Sequence, residues 1–455
     1  MSNPFVDALP PDFVWGAATA SFQIEGATAE DGRGESVWDR FCATPGKVRN
    51  GDTGVVACDF YHRYREDIAI MRELGIDGFR FSIAWPRVLP QGRGAVNQAG
   101  LDFYDRLVDE LLANEIEPFA TLFHWDTPQA LEDEGGWRER STAEAFIEYT
   151  EAVAARLGDR VRHWITHNEP WVYAWVGNAW GAHAPGRTSE ADAVVVAHHL
   201  LLSHGWAVEA IRRAAPESRV GITLNLSQIY PATDTPEDEA AAYRRDGQDN
   251  RWFLDPVFRG SYPADLLERN ELVAPHVRDG DFDVISVPLD FLGINNYSRF
   301  IVAAGAGGPR VVGNPDGEHT DMGWEVYPDG LHDVLVRVTR DYEPAAIYIT
   351  ENGAAFPDVR VHDGGVHDME RTAFLESYIG AVGRAIAADA PVRGYFVWSL
   401  LDNFEWAFGY SKRFGIVYVD FPTLERVPKD SFYWYRDLIA SRRGAPRPPS
   451  PIVAA

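Results

Sequence analysis

The chain has 455 residues, 45% hydrophobic and 24% charged, with a formal net charge of −26. This is the balance of a globular protein with a large core, and its acidity argues against nucleic acid or an anionic membrane as a partner, because phosphates need a basic surface. Two cysteines, Cys42 and Cys58, are too few for a disulfide framework or a Cys-rich metal site and read as reduced thiols. The first residues, "MSNPFVDALPPDFVWGAATA", lack a basic segment followed by a long apolar one, and no stretch approaches the roughly 18 apolar residues of a membrane span. The expected location is the cytoplasm, so the sequons at Asn225 and Asn296 are chance matches.

Eight short apolar runs then follow in chain order: "FVWGAATA" from Phe13, "GFRFSIAW" from Gly78, "EPFATLFHW" from Glu117, "RHWITHNEP" from Arg162, "RVGITLNLS" from Arg219, "FLGINNYS" from Phe291, "AIYITENG" from Ala346 and "RGYFVWSLLDN" from Arg393. Between most of them lie segments of helical period, such as "DFYHRYREDIAIMRELG" and "STAEAFIEYTEAVAARLG". Strands apolar on both faces, alternating with helices, predict the parallel strands of a (β/α)8 barrel. Such barrels run long as one unit, so the chain reads as a single domain over 1–455 with its core at about 13–440. The Gly- and Pro-rich stretch from Ala303 to His319 reads as a surface loop, and the Pro-rich tail at about 441–455 as ordered only where it packs on the barrel.

The runs end in Gln23, Trp85, His124, Glu169, Asn225, Tyr297, Glu351 and Glu405. In a barrel of this kind, residues after the C-terminal strand ends build the active site. No metal or cofactor is expected there. His198, His199 and His204 lack H-E-x-x-H spacing, "GAGG" at Gly305 lacks the strand-to-helix context of a dinucleotide loop, and neither a Walker A motif nor a nucleophile elbow occurs. "THNEP" (Thr166 to Pro170) and "ITENG" (Ile349 to Gly353) each present a glutamate beside an asparagine, at strand ends nearly opposite across the barrel. A lone glutamate there is ordinarily a solvated carboxylate. A facing pair is the apparatus of glycoside hydrolysis: one carboxyl protonates the leaving oxygen, the other attacks or activates water. Fifteen Trp and 18 Tyr are core material first, but also the flat faces on which sugars pack.

The stretches "FVWGAATASFQIEGA", "FRFSIAWPR", "FHWDTPQAL", "NEPW", "GAHAPG", "GINNYS", "GWEVYPDGL", "YITENG", "VWSLLDNFEWAFGYSKRFGIVYVD" and "SFYWYRDLI", in this order, make the chain resemble glycoside hydrolase family 1 from about Phe13 to about Ile439. The resemblance implies β-glucosidase activity on a small β-glycoside by a retaining double displacement. Glu351 would be the nucleophile and Glu169 the general acid and then base, with the carboxylates about 5–5.5 Å apart. Arg80 would hold Glu351 ionised, and Tyr297 would hydrogen-bond it. Gln23, His124, Asn168 and Glu405 match the set that binds sugar hydroxyls. Trp398 would floor the ring and Trp406 would donate beside Glu405. Trp324 and Asn225 match the acceptor side, whereas Trp125 and Trp171 serve equally as wall packing. His167 stands where the family usually has an apolar residue and is expected to be a neutral buried histidine. Asn296 stands where an aromatic is common, turned away from Tyr297. Two other readings share the scaffold. A 6-phospho-β-glycosidase would need Lys412 and Arg413 at the sugar's 6-position, against an anionic Glu405, and a sugar-binding barrel without catalysis would lack one glutamate. The preferred sugar, the aglycone, the balance of hydrolysis and transglycosylation, and self-association into a homo-oligomer are left open.

Overall fold

Each of the eight runs forms a strand in the computed structural model, which describes residues 9–443. The strands are β1 (Val14–Ala18), β2 (Gly78–Ser82), β3 (Glu117–Phe123), β4 (His163–Asn168), β5 (Arg219–Asn225), β6 (Phe291–Asn295), β7 (Ile347–Asn352) and β8 (Val392–Trp398). All pair in parallel with their sequence neighbours, and β1 pairs with both β2 and β8, which closes the barrel. A helix or group of helices covers each crossover, from Phe60–Leu74 after β1 to Asp430–Arg442 after β8. The apolar double-faced runs are explained by this position between helices and barrel interior. Every residue of β2 is buried.

Large and small residues interlock at the floor. Phe396 meets Phe119 edge to face at 4.7 Å, and Phe119 stacks on His163 at 4.2 Å. Gly16 makes room: a Cβ there would lie 2.2 Å from the Phe396 ring. With the floor plugged by rings, polar groups gather at the C-terminal mouth.

Three expectations need adjustment. The helix Glu190–Ala214 is long and apolar enough to cross a membrane, but 89% of its apolar stretch is buried within the protein, so it is a barrel-wall helix. The Ala303–His319 segment is not all loop: Arg310–Val312 pairs antiparallel with Phe300–Ala303, the middle strand of a three-stranded sheet with Ile229–Pro231. Trp85, at the end of the second run, is fully buried with its indole donating to Gly92 O at 3.1 Å, so it belongs to the core and not the mouth. The tail expected at about 441–455 lies, from residue 444 onward, outside the described residues.

Candidate active site

Both glutamates reach the mouth through an irregular strand. On β4, Ile165 pairs with Gly221 but Asn168 with Thr223, so β4 carries one extra residue. Thr166 and His167 both turn to the helix layer, where they meet His204 at 2.7 Å and Ser203 at 2.9 Å. Strict alternation from Ile165 would have sent His167 inward and Asn168 outward; the bulge reverses this. On β7, Ile349 pairs with Ile294 but Glu351 with Asn295, again with one extra residue. Thr350 and Glu351 are thereby both available to the interior. Gly353 lets β7 continue past β8, since a Cβ there would lie 1.7 Å from Trp398 O.

A cavity of about 540 Å³ opens at this end. All the predicted residues line it except Arg80, Gln23 and Asn168, which are fully buried just behind the wall. Arg80 reaches from β2 to both glutamate-bearing strands: one guanidinium nitrogen pairs with Glu351 Oε1, the other donates to Asn168 Oδ1 at 2.6 Å. Tyr297 Oη donates to Glu351 Oε2 at 2.6 Å. Glu351 is thus an ion-paired, doubly hydrogen-bonded carboxylate.

Glu169 has a different setting. It is 6% exposed, and among the described residues its side chain is held by the amide of Asn295, which donates to Oε1 at 2.7 Å. Burial pushes its pKa up to about 8; Glu351 and, less strongly, Glu405 add to the rise, while the Asn295 amide and Arg80 oppose it. Near neutrality Glu169 therefore holds a proton that it can give away. Its φ of +46° is in the left-handed region, as are those of Trp125 (+77°) and Trp406 (+46°). Strained backbone of this kind persists where surrounding contacts over-determine it.

Around the inner end of the cavity lie polar atoms, donors as well as acceptors, without protein partners. Gln23 donates through its amide to Asn403 Oδ1 at 3.0 Å and Phe404 O at 2.9 Å, which leaves Oε1 free. His124 contacts the Asn168 amide at 3.0 Å through Nε2, and its Nδ1 has no partner. Burial, then Arg80, holds its pKa well below the ordinary value, so the ring is neutral. Glu405 Oε2 is likewise buried and unpartnered. An orphaned buried polar atom is costly, and three around one small space mark where a hydroxyl-rich ligand would satisfy them. Trp398, 3% exposed, lies in the same wall with His124 stacked at 6.1 Å.

At the outer end, Trp324 packs on Tyr297 at 5.2 Å, and Asn225 lines the cavity from the end of β5. Trp125 lines it too, but its indole donor is spent on Asn168 O at 2.8 Å, so it acts by its face. His167 is the neutral core histidine that was expected, its pKa pushed well down by burial. Asn296 donates to Leu226 O at 2.8 Å, away from the cavity.

One expectation is corrected and two residues emerge that sequence reasoning passed over. Glu405 is not the ordinary anion that was expected: burial, then Glu351, pushes its pKa up to about 8. Asn295 was missed. Its amide bridges Glu169 Oε1 and Asn168 Oδ1, and Thr350 donates to its carbonyl at 2.8 Å. Asn403, which orients Gln23, was missed as well. Both lie inside quoted motifs, as polar residues at strand or loop ends.

Comparison with known proteins agrees with this geometry. The family description "Glycosyl hydrolase family 1" matches residues 5–444. Beta-glucosidase A of Acetivibrio thermocellus is 48% identical over 438 residues, covering 95% of this chain and 98% of that protein. A bifunctional beta-D-glucosidase/beta-D-fucosidase of Bifidobacterium breve is 47% identical, with coverage of 95% and 98%. The solved beta-glucosidase from Thermotoga maritima in complex with glucoimidazole superimposes with a TM-score of 0.93 at 47% identity, covering 95% of this chain and 99% of that one. A closed eight-stranded barrel with two glutamates at its mouth, matched over nearly its full length, belongs to glycosyl hydrolase family 1.

Proposed function

We propose that the protein is a retaining β-glucosidase that releases terminal non-reducing β-D-glucosyl residues, with β-galactosides, β-fucosides and cello-oligosaccharides as further substrates. The observation that carries this reading is the opposite setting of two carboxyl groups in one cavity: Glu169 buried with an amide donor and its pKa pushed up, Glu351 paired with Arg80 and hydrogen-bonded by Tyr297. In the first step a Glu351 oxygen attacks C1 from the α face. The C1–O bond to the aglycone breaks, and Glu169 gives its proton to the departing oxygen. In the second step water passes a proton to Glu169 and adds to C1 from the β face, breaking the ester to Glu351. Arg80 and Tyr297 hold the nucleophile in place. Gln23, His124, Asn168 and Glu405 take the sugar hydroxyls over Trp398, with Trp406 beside Glu405 and Trp125 packed on Trp406; Trp324 and Asn225 face the aglycone. The relative named as also a fucosidase supports the wider sugar range.

A 6-phospho sugar is disfavoured because the two cations it would need are already paired. Lys412 pairs with Asp321 at 3.0 Å, and Arg413 with Asp402 at 2.6 Å. The one barrel serves as the whole catalytic domain, and two free, buried cysteines fit the reducing cytoplasm. The test is a 2-fluoro β-glucoside with a good leaving group, which should stall as a covalent adduct. Peptide mapping should find the adduct on Glu351; an adduct on another carboxylate would overturn the assignment.

A further inference from the structure

The loops that follow β7 and β8 are joined behind the cavity by buried charge. The first runs from Gly353 past Asp358; the second carries Asp402, Asn403, Glu405 and Trp406. Lys429 belongs to neither. It precedes the helix Asp430–Arg442, is fully buried and does not line the cavity. Its ammonium donates to Asp358 Oδ2 in the first loop and to Asp402 Oδ1 in the second, the latter at 2.8 Å. Each carboxylate has an arginine as well: Arg371 donates to Asp358 at 2.7 Å, and Arg413 to Asp402 at 2.6 Å. Arg371 adds a second tie between the loops by donating to Arg413 O at 2.8 Å.

Charges buried this deeply add little net stability, because desolvation offsets their attraction; what they add is a fixed arrangement of the groups they join. Here that arrangement includes the sugar-facing wall. Asp402 is followed by Asn403, whose Oδ1 accepts from the Gln23 amide at 3.0 Å, and by Phe404, whose carbonyl accepts from the same amide at 2.9 Å. Glu405 comes next. Gln23 Oε1 and Glu405 Oε2, two of the unpartnered atoms at the inner end of the cavity, are therefore placed by the loop that Lys429 holds. Glu351 has its own supports in Arg80 and Tyr297.

We propose that Lys429 is a positioning residue for hydroxyl recognition: it ties the loop after β8 to the loop after β7 and so sets the direction of Gln23 and Glu405 without touching the sugar. The proposal rests on the β-glucosidase reading and adds a residue to it.

Lys429→Met removes the ammonium and leaves each carboxylate its arginine, so the protein should fold. Its kcat/KM for a nitrophenyl β-glucoside should fall by about tenfold or more, as binding groups move off their positions. A double-mutant cycle separates this from a general loss of stability. In a Gln23→Ala background the same substitution should cost less than in the wild type, by a factor of about three or more, because the group it positions is gone. Beside Asn295→Ala, which acts on Glu169, the two costs should multiply. Amide hydrogen exchange reads the loop without turnover: peptides covering residues 399–405 should exchange faster in Lys429→Met than in the wild type, and those of β4 should not. That arm stands whatever the substrate, so its failure is distinct from a failure of the hydrolase reading. If Lys429→Met does not fold, Arg413→Gln loosens the same Asp402 from a partly exposed position and should give the same pattern at smaller size. Unchanged exchange in 399–405 would overturn the proposal. So would an unchanged kcat/KM, or a loss that is the same in the wild-type and Gln23→Ala backgrounds.

Discussion

Glu169 and Glu351 each follow an apolar strand, each sit beside an asparagine, and each are reached through a strand carrying one extra residue. Their surroundings nevertheless give them opposite roles. Glu351 lies against a guanidinium and a phenol, both donors to an anion. Glu169 is buried with one amide donor and two other carboxyls nearby, which favours the neutral form. Even the neighbouring asparagines differ. Asn168 joins Arg80, His124 and Asn295 at the cavity wall. Asn352 is turned into the scaffold, accepting from Tyr395 Oη at 2.7 Å and donating to Asn296 O at 2.7 Å. The chemistry of a carboxyl group is thus set by neighbours brought in from other strands, not by its local sequence.

The largest effect that tests this contrast comes from removing the anion. Glu351→Ala should lose activity by about 10⁴-fold or more, as when an essential covalent group is lost. Azide should restore turnover and yield the α-glycosyl azide, because it enters from the face that Glu351 vacates. The same salt added to Glu169→Ala should give the β-glycosyl azide, formed from the intact glycosyl-enzyme. NMR of the products decides it, and the same anomer from both variants would refute the division of roles.

Next in size is the removal of the proton donor. Glu169→Gln should slow glucosides of poorly acidic alcohols by about 10²–10⁴-fold. A dinitrophenyl glucoside needs no proton, so its first step should stay fast and the glycosyl-enzyme should accumulate. The fall in kcat/KM of the wild type near pH 8, where Glu169 loses its proton, should vanish in the variant. Pre-steady-state bursts and pH profiles measure both, and equal losses for good and poor leaving groups would argue against the assignment.

Much of this was legible in the sequence, and what was not has a common cause. The eight runs declare themselves because a strand buried on both faces must be apolar throughout. Glu169 and Glu351 stand out because a charge at the end of such a run is unusual. A bulge has no compositional mark, however: it is one extra residue, visible only against the partner strand. In "GINNYS" two adjacent asparagines point to opposite sides; alternation from Tyr297 turns Asn296 away, but only the fold shows that Asn295 reaches Glu169. The proton on Glu405 is hidden for the same reason, since burial comes from residues far apart in the chain.

A smaller effect sharpens the comparison through Asn295. Its amide stabilises the charged form of Glu169, so Asn295→Ala should raise the pKa of the acid and move the basic limb of kcat/KM to higher pH. Activity should fall by about tenfold, because Asn168 loses a partner and the acid loses its orientation. A limb that stays put or moves to lower pH would show that Asn295 does not control the acid.

The smallest effect is on stability, and here the two glutamates should differ in sign. Glu169 has its pKa raised by folding from the ordinary 4.5 to about 8. Between those values the unfolded chain releases a proton that the folded protein retains, so folding stability falls as pH rises through this window. Glu405, raised from 4.5 to about 8, and Asp126, raised from 3.8 to about 7 by burial, act in the same direction. Glu169→Gln removes one such group. It should leave stability within about 1 kcal/mol of the wild-type value at pH 5 and increase it by a few kcal/mol, at most about 4, at pH 8. Glu351→Ala should instead destabilise by about 3–5 kcal/mol, because it strands the fully buried Arg80 guanidinium without its counter-ion. Denaturant titrations of the three proteins at pH 5 and pH 8 separate these outcomes. A Glu169→Gln variant less stable than wild type at pH 8 would mean that Glu169 is anionic in the folded protein, and the proton donor would have to be sought elsewhere.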